Sequence, residues 1–179
     1  MMKSVSRRKF LATLAAAAPL CAGFPKICDA ETSSRALTFA HTHTGERLAI
    51  EYFSRGAYQA DALTAINYLL RDFRNDTVHP IDPALLDLLH RVAGLTDTSR
   101  PFQVISGYRS PATNEALRLS TEGVAAGSLH LVGQAIDVRL ADVPLAKLRR
   151  AALEVRGGGV GYYPASDFVH VDTGRLRTW

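Results

Sequence analysis

The chain has 179 residues, 47% of them hydrophobic, which is the ordinary balance of a globular protein and leaves room for one domain with a sizeable core. Its formal charge of +4 sits in the N-terminal segment: five of the 21 basic residues (Lys3, Arg7, Arg8, Lys9, Lys26) and one of the 17 acidic residues (Asp29) lie within residues 1–30. The rest carries 16 of each sign and is formally neutral, which removes any case for a nucleic-acid partner or a charged membrane surface.

Ser6-Arg7-Arg8-Lys9-Phe10-Leu11-Ala12 sets paired arginines before an apolar run from Leu11 to Gly23. That run is short for a bilayer span and reads as the apolar region of a signal peptide. Cys28-Asp29-Ala30 offers small residues where a signal peptidase reads them, so cleavage is expected after Ala30, leaving a domain over 31–179. The arginine pair is similar to the signal of the twin-arginine route, with an ordinary basic leader as the alternative. Neither Cys21 nor Cys28 follows a lipobox, so no lasting membrane anchor is expected, and the protein should be exported to the periplasm. Both cysteines leave with the leader, so any metal must be held by nitrogen and oxygen.

In chain order, Leu37–His41 and Arg47–Phe53 read as two strands joined at Thr44-Gly45-Glu46. His41 and His43 have same-face spacing, a possible ligand pair but more ordinarily exposed hairpin histidines. Apolar residues at 63, 66, 69, 70 and 73 predict an amphipathic helix over Asp61–Arg74. Asp82-Pro83 opens a second helix, which Gly94 is expected to end. Pro101–Ile105 is a strand running into the turn Ser106-Gly107-Tyr108-Arg109-Ser110-Pro111, and Thr113–Leu119 is a short helix. Strand Ala135–Leu140, helix Pro144–Val155, and strands Val160–Tyr163 and Phe168–Asp172 complete the chain. Helices early and short strands late predict a single α+β domain, an antiparallel sheet with helices on one side.

The chemistry concentrates in Ser128-Leu129-His130-Leu131-Val132-Gly133-Gln134-Ala135-Ile136-Asp137. On a helix His130 and Asp137 would share a face, but Gly133 and the β-type run behind it argue that the chain turns between them. A carboxylate inside Ala-Ile-Asp-Val is costly to bury unless paired or metal-bound. Spacing leaves open both a metal and an ion pair with Arg109 or Arg139. His170 arrives in a comparable apolar strand, with Asp172 on its face and Asp167 three residues before it. Two imidazoles and one carboxylate are a ligand set that leaves a tetrahedral zinc one open position.

Ser-x-His-x6-Asp followed by a later Asp-x-x-His resembles the zinc D-alanyl-D-alanine peptidases, the group with the lysostaphin- and hedgehog-like metal site. The resemblance is strongest to the murein endopeptidase K branch. It extends over His43–Glu46, His79–Pro83, Ser106–Pro111, Ser128–His130 and residues 159–174. It implies one zinc ion held by His130, Asp137 and His170, peptidoglycan as partner and substrate, and hydrolysis of its peptide cross-links. Trimming of stem peptides by a D,D- or L,D-carboxypeptidase is the alternative, and a non-catalytic zinc-containing wall-binding module is a rival of another class. Arg109 would face the substrate carbonyl or carboxylate, Ser128, Tyr162 and Tyr163 would meet substrate, and the general base would be Asp167 or Asp172. The usual glutamate before the last histidine is here the shorter Asp167, which puts its reach in doubt.

Overall fold

The computed structural model describes residues 34–120 and 125–179. The expected leader, residues 1–30, lies outside them. Strands β1 (Arg35–His41) and β2 (Arg47–Ser54) form the expected antiparallel hairpin, and the two-residue β3 (Ala57–Tyr58) pairs with the free edge of β2. Helix α1 (Ala60–Leu69) is shorter than its apolar pattern predicts. The stripe runs on to Phe73, but the Leu70 carbonyl accepts the Tyr108 N–H at 2.8 Å, and the buried Asp72 side chain captures backbone donors. These tertiary bonds outweigh the local periodicity and turn the chain at 70–77.

Helix α2 (Pro83–Thr96) starts where expected: the Asp82 carboxylate accepts the Ala84 N–H at 2.9 Å, a cap worth about 1 kcal/mol, and Pro83 occupies the first turn. It passes through Gly94 and stops at Asp97, which takes the left-handed conformation at φ 55°. Strand β4 (Phe102–Ser106) leads through the 107–110 turn into α3 (Pro111–Ser120). A 3-10 turn at Leu129–Val132 precedes β5 (Ala135–Arg139), and α4 (Leu145–Val155) precedes β6 (Gly159–Tyr163), β7 (Phe168–Asp172) and β8 (Arg177–Thr178).

The strands form one sheet in the order β3-β2-β1-β4-β5-β7-β6-β8. Most neighbours run antiparallel, as expected, while β1 with β4 and β6 with β8 are parallel, so the sheet is mixed. The β1-to-β4 crossover is made by α1 and α2. Alternation divides the sheet into two faces. Ile136, Val138, Val169, Val171 and Val160 pack beneath α1, α2 and α4 in one apolar cluster, each contributing about 1.5–3 kcal/mol by its burial. The intervening residues Asp137, His170 and Asp172 project from the opposite face. No described helix is long and apolar enough to cross a membrane.

Candidate metal centre

Three segments deliver the site. Asp137 of β5 lies directly opposite His170 of β7 in the antiparallel register, so both side chains leave the same face side by side. His130 comes from the 3-10 turn, whose position is fixed by the Arg109 N–H donating to the His130 carbonyl at 3.1 Å. Gly133 ends that turn at φ +68°, where a Cβ would lie 2.2 Å from the Pro80 carbonyl oxygen. Only glycine gives both that conformation and that closeness.

Each imidazole is oriented from behind. His130 Nδ1 lies 2.7 Å from the Gly107 carbonyl, which can only accept, so Nδ1 carries a proton and Nε2 points inward. His170 Nε2 lies 3.0 Å from Asp172 Oδ2 and donates to it, turning Nδ1 inward. Asp172 is fully buried and its oxygens also accept from Gly159 N, Gly174 N and both terminal nitrogens of Arg177. Burial opposes its ionisation, but these donors outweigh that and hold its carboxyl well below the usual carboxylate range.

His130 Nε2 and His170 Nδ1 stand 3.2 Å apart. The Asp137 oxygens lie 2.8 Å from His170 Nδ1 and 3.4 Å from His130 Nε2. Bonds of 2.0–2.2 Å to a tetrahedral ion imply donor spacings of about 3.3 Å, and the observed separations, the two to Asp137 running to its two different oxygens, bracket that value. Burial raises the cost of charge on Asp137, yet the adjoining imidazoles hold its carboxyl well below its ordinary range. His170 is pushed up to about 9, because its two carboxylates outweigh its burial. A divalent cation would take the place of the proton between these groups. Among the described residues this is the one group of three such donors gathered closely enough to hold an ion. Two nitrogens, one oxygen and no sulfur suit zinc.

The triangle opens into a cleft of about 620 Å³. Ser128 and Tyr163 line it as the sequence suggests, and Arg109 reaches within 3.8 Å of Asp137 through Nη2. Tyr162 does not line it: alternation sends its ring to the helical face, where it packs on the core beneath the Arg149 guanidinium. Asp167 is also outside the lining. It occupies a left-handed position at φ 55°, its side chain is 64% exposed, and its carboxylate pairs with Arg139 at 2.9 Å. The two hairpin histidines part company: His41 is buried, not exposed, and His43 lines the cleft. Neither belongs to the donor triangle.

Arg74, Arg177 and Trp179 also line the cleft, and their sequence contexts gave no sign of it. The Trp179 indole lies 5.3 Å from the His170 ring and donates to the Tyr163 hydroxyl at 2.7 Å. Gly161 leaves the space for it, since a Cβ there would stand 2.7 Å from the indole. A second concavity of about 550 Å³, at Arg35, Asp87 and Arg91, contains none of the three donors, and Arg35 and Asp87 already pair with each other there.

The sequence is that of a peptidase of the M15 class, whose family model Peptidase_M15_2 matches residues 29–179. The chain belongs to the family which that model describes as Peptidoglycan L,D-endopeptidase MepK. It is 47% identical over 145 residues to the Peptidoglycan L,D-endopeptidase MepK of Escherichia coli K12, covering 81% of this chain and 80% of that protein. The probable peptidoglycan L,D-endopeptidase MepK of Haemophilus influenzae is 44% identical over 146 residues, covering 81% of this chain and 78% of its own length.

Proposed function

We propose that the protein is a zinc-dependent peptidoglycan endopeptidase that hydrolyses peptide cross-links in the cell wall. The observation that carries this reading is the orientation of the two imidazoles. Gly107 and Asp172 each occupy one ring nitrogen, which leaves His130 Nε2, His170 Nδ1 and the Asp137 carboxylate converging at the floor of an open cleft. The names of relatives 44% and 47% identical over about four-fifths of the chain supply the substrate class.

Zinc held by His130, Asp137 and His170 supplies a Lewis acid for the scissile carbonyl and an acidified water near neutral pH. The protein does the rest. Arg109 places a guanidinium at the edge of the donor triangle, where it stabilises negative charge developing on the carbonyl oxygen. Ser128 and Tyr163 hold the peptide along the cleft. Asp172 is assigned to hold His170 rather than to move protons, because five N–H donors already fill its oxygens. Asp167 is then assigned as the base. Its neighbours Ser166 and Phe168 line the cleft, and one solvent-exposed tie to Arg139 holds it away.

The leader over 1–30 and export to the periplasm, by the twin-arginine route, belong to the same reading, since cross-linked wall lies outside the inner membrane. The test is mass analysis of products from purified cross-linked muropeptide dimers. Conversion of dimers to monomers that stops with a chelator and with His130→Ala is expected. Conversion unaffected by His130→Ala would overturn the metal mechanism, and release of only a terminal residue would make the protein a carboxypeptidase.

A further inference from the structure

Asp72 lies in the turn after α1, has no exposed surface, and touches neither the cleft nor the donor triangle. Its Oδ1 accepts the Arg74 N–H at 3.2 Å and its Oδ2 accepts the Ser110 N–H at 2.9 Å. One buried carboxylate therefore ties together the two backbone segments that carry Arg74 and Arg109. A second tie runs beside it, from the Asn75 side-chain amide to the Ser110 hydroxyl at 2.8 Å. Both guanidinium groups line the cleft.

Neither is neutralised there. Among the described residues no ion pair involves Arg74, whose guanidinium lies over the Phe73 ring at 4.3 Å. His43 stacks on the same ring at 4.2 Å and 7°, so Phe73 braces both cleft-lining groups. Arg109 has one anionic partner among the ion pairs of the described residues, Asp137 at 3.8 Å; its Nη1 donates to the Asn114 side-chain oxygen at 3.3 Å, and its buried Nε has no partner among the described residues. Asp137 is already committed to two imidazoles, and Arg177 is matched by Asp172. A cation in the donor triangle would add still more positive charge. An unpaired guanidinium lining the cleft, with a second there whose one ion pair is long, favours an anion in the cleft.

We propose that Arg74, set beside Arg109 by Asp72, binds a free carboxylate carried by the peptide substrate close to the bond that is cut. A planar guanidinium fork fits a carboxylate through two parallel hydrogen bonds, and carboxylates are the anions a peptide offers. Arg74 lies on the exposed rim while Arg109 lies at the donors, which divides the labour. Arg74 acts in recognition, and Arg109 acts on the carbonyl. This rests on the endopeptidase reading and names the chemistry that the cleft prefers.

The experiment uses zinc-loaded protein and two synthetic cross-linked dimers that differ only in amidation of the free carboxylate nearest the scissile bond. The wild type is expected to prefer the carboxylate form by about tenfold in kcat/KM, the worth of a charge-assisted hydrogen bond. Arg74→Ala should lose that preference through a raised KM for the carboxylate dimer, and Arg74→Lys should recover part of it. Arg74 is exposed, so its truncation removes no core packing. Calorimetry with the carboxylate and amidated monomer products supplies a readout without turnover, with the same tenfold difference expected for the wild type and none for Arg74→Ala. Dimers left uncut beside this binding difference would remove the endopeptidase reading and keep the subsite. Dimers cut with no preference, or with a preference that survives Arg74→Ala, would remove the subsite and keep the reading. No cleavage and no binding difference would remove both.

Discussion

Asp172 accepts the Nε2 proton of His170 at 3.0 Å, and that bond decides which nitrogen of His170 faces the centre. The neighbouring contacts make the arrangement stiff: the carboxylate has no exposed surface and is held by two backbone N–H groups and Arg177. Partners of this kind fix the tautomer of a ligand imidazole and raise its basicity. Asp172→Asn keeps the shape but presents a neutral amide that competes for the same position. Zinc affinity, measured by competition with a chromophoric chelator, is expected to weaken about 10–100-fold. Unchanged affinity accompanied by a collapse of kcat would instead make Asp172 a proton carrier.

Asp167 is separated from Asp172 by the opposite signature. It is exposed, and its tie to Arg139 is screened by solvent and worth little, so leaving that position costs the protein little. Asp167→Asn is expected to lower kcat on muropeptide dimers by about 10²–10⁴-fold, the range for loss of a positioned base, while zinc content stays at one per chain. Activity within a few-fold of wild type would remove Asp167 from the mechanism.

The difference between these two aspartates shows what the sequence could and could not reveal. Charged residues set in apolar strand runs are expensive, so His130, Asp137 and His170 stood out, and period-2 alternation correctly placed Asp172 on the face of His170. Alternation says nothing about what else a carboxylate bonds, so the sequence favours Asp167 over Asp172 only slightly, and the contacts with Arg177, Gly159, Gly174 and Arg139 are what separate them. The adjacent tyrosines were predicted to line the cleft together, yet neighbours on a strand face opposite sides, and only Tyr163 does so. Arg74 was hidden for another reason. The apolar stripe of α1 continued through Phe73, and the bond from Leu70 to Tyr108 that ends the helix joins residues far apart in sequence. Arg177 and Trp179 lay in a tail whose pairing with β6 has no local signal.

Gly133 gives a stability prediction. It holds φ +68°, and its carbonyl accepts the Asp82 N–H at 3.0 Å, so the turn carrying His130 is tied directly to the start of α2. A methyl group at 2.2 Å from the Pro80 carbonyl oxygen forces backbone to move. Gly133→Ala is expected to cost about 2–4 kcal/mol, from the left-handed backbone and the overlap together. In a chain of this size that corresponds to a fall in Tm of roughly 5–15 °C. A fall of less than about 2 °C would mean that the 80–82 segment yields without cost, contrary to the close packing expected of a buried turn. Zinc affinity should fall in the same variant, because the segment that shifts also carries His130.

His41 supplies the pH dependence of stability. It is 2% exposed, and its Nδ1 accepts N–H bonds from His43 at 3.2 Å and Thr44 at 3.4 Å, which it can do only while that nitrogen is unprotonated. Burial lowers it to about 4, with the neighbouring His43 adding to the effect, against 6.5 for a free histidine. Between those two values the unfolded chain binds a proton that the folded protein refuses, so stability rises with pH across the window and is lost as pH falls through it. The full difference is about 3 kcal/mol. Urea unfolding of wild type and His41→Gln, both with chelator present so that metal uptake does not vary, should give free energies whose difference narrows as pH falls from 7 to 4. Parallel curves would show that His41 takes up its proton in the folded state as readily as in the unfolded one, and that its buried backbone bonds tolerate the charge.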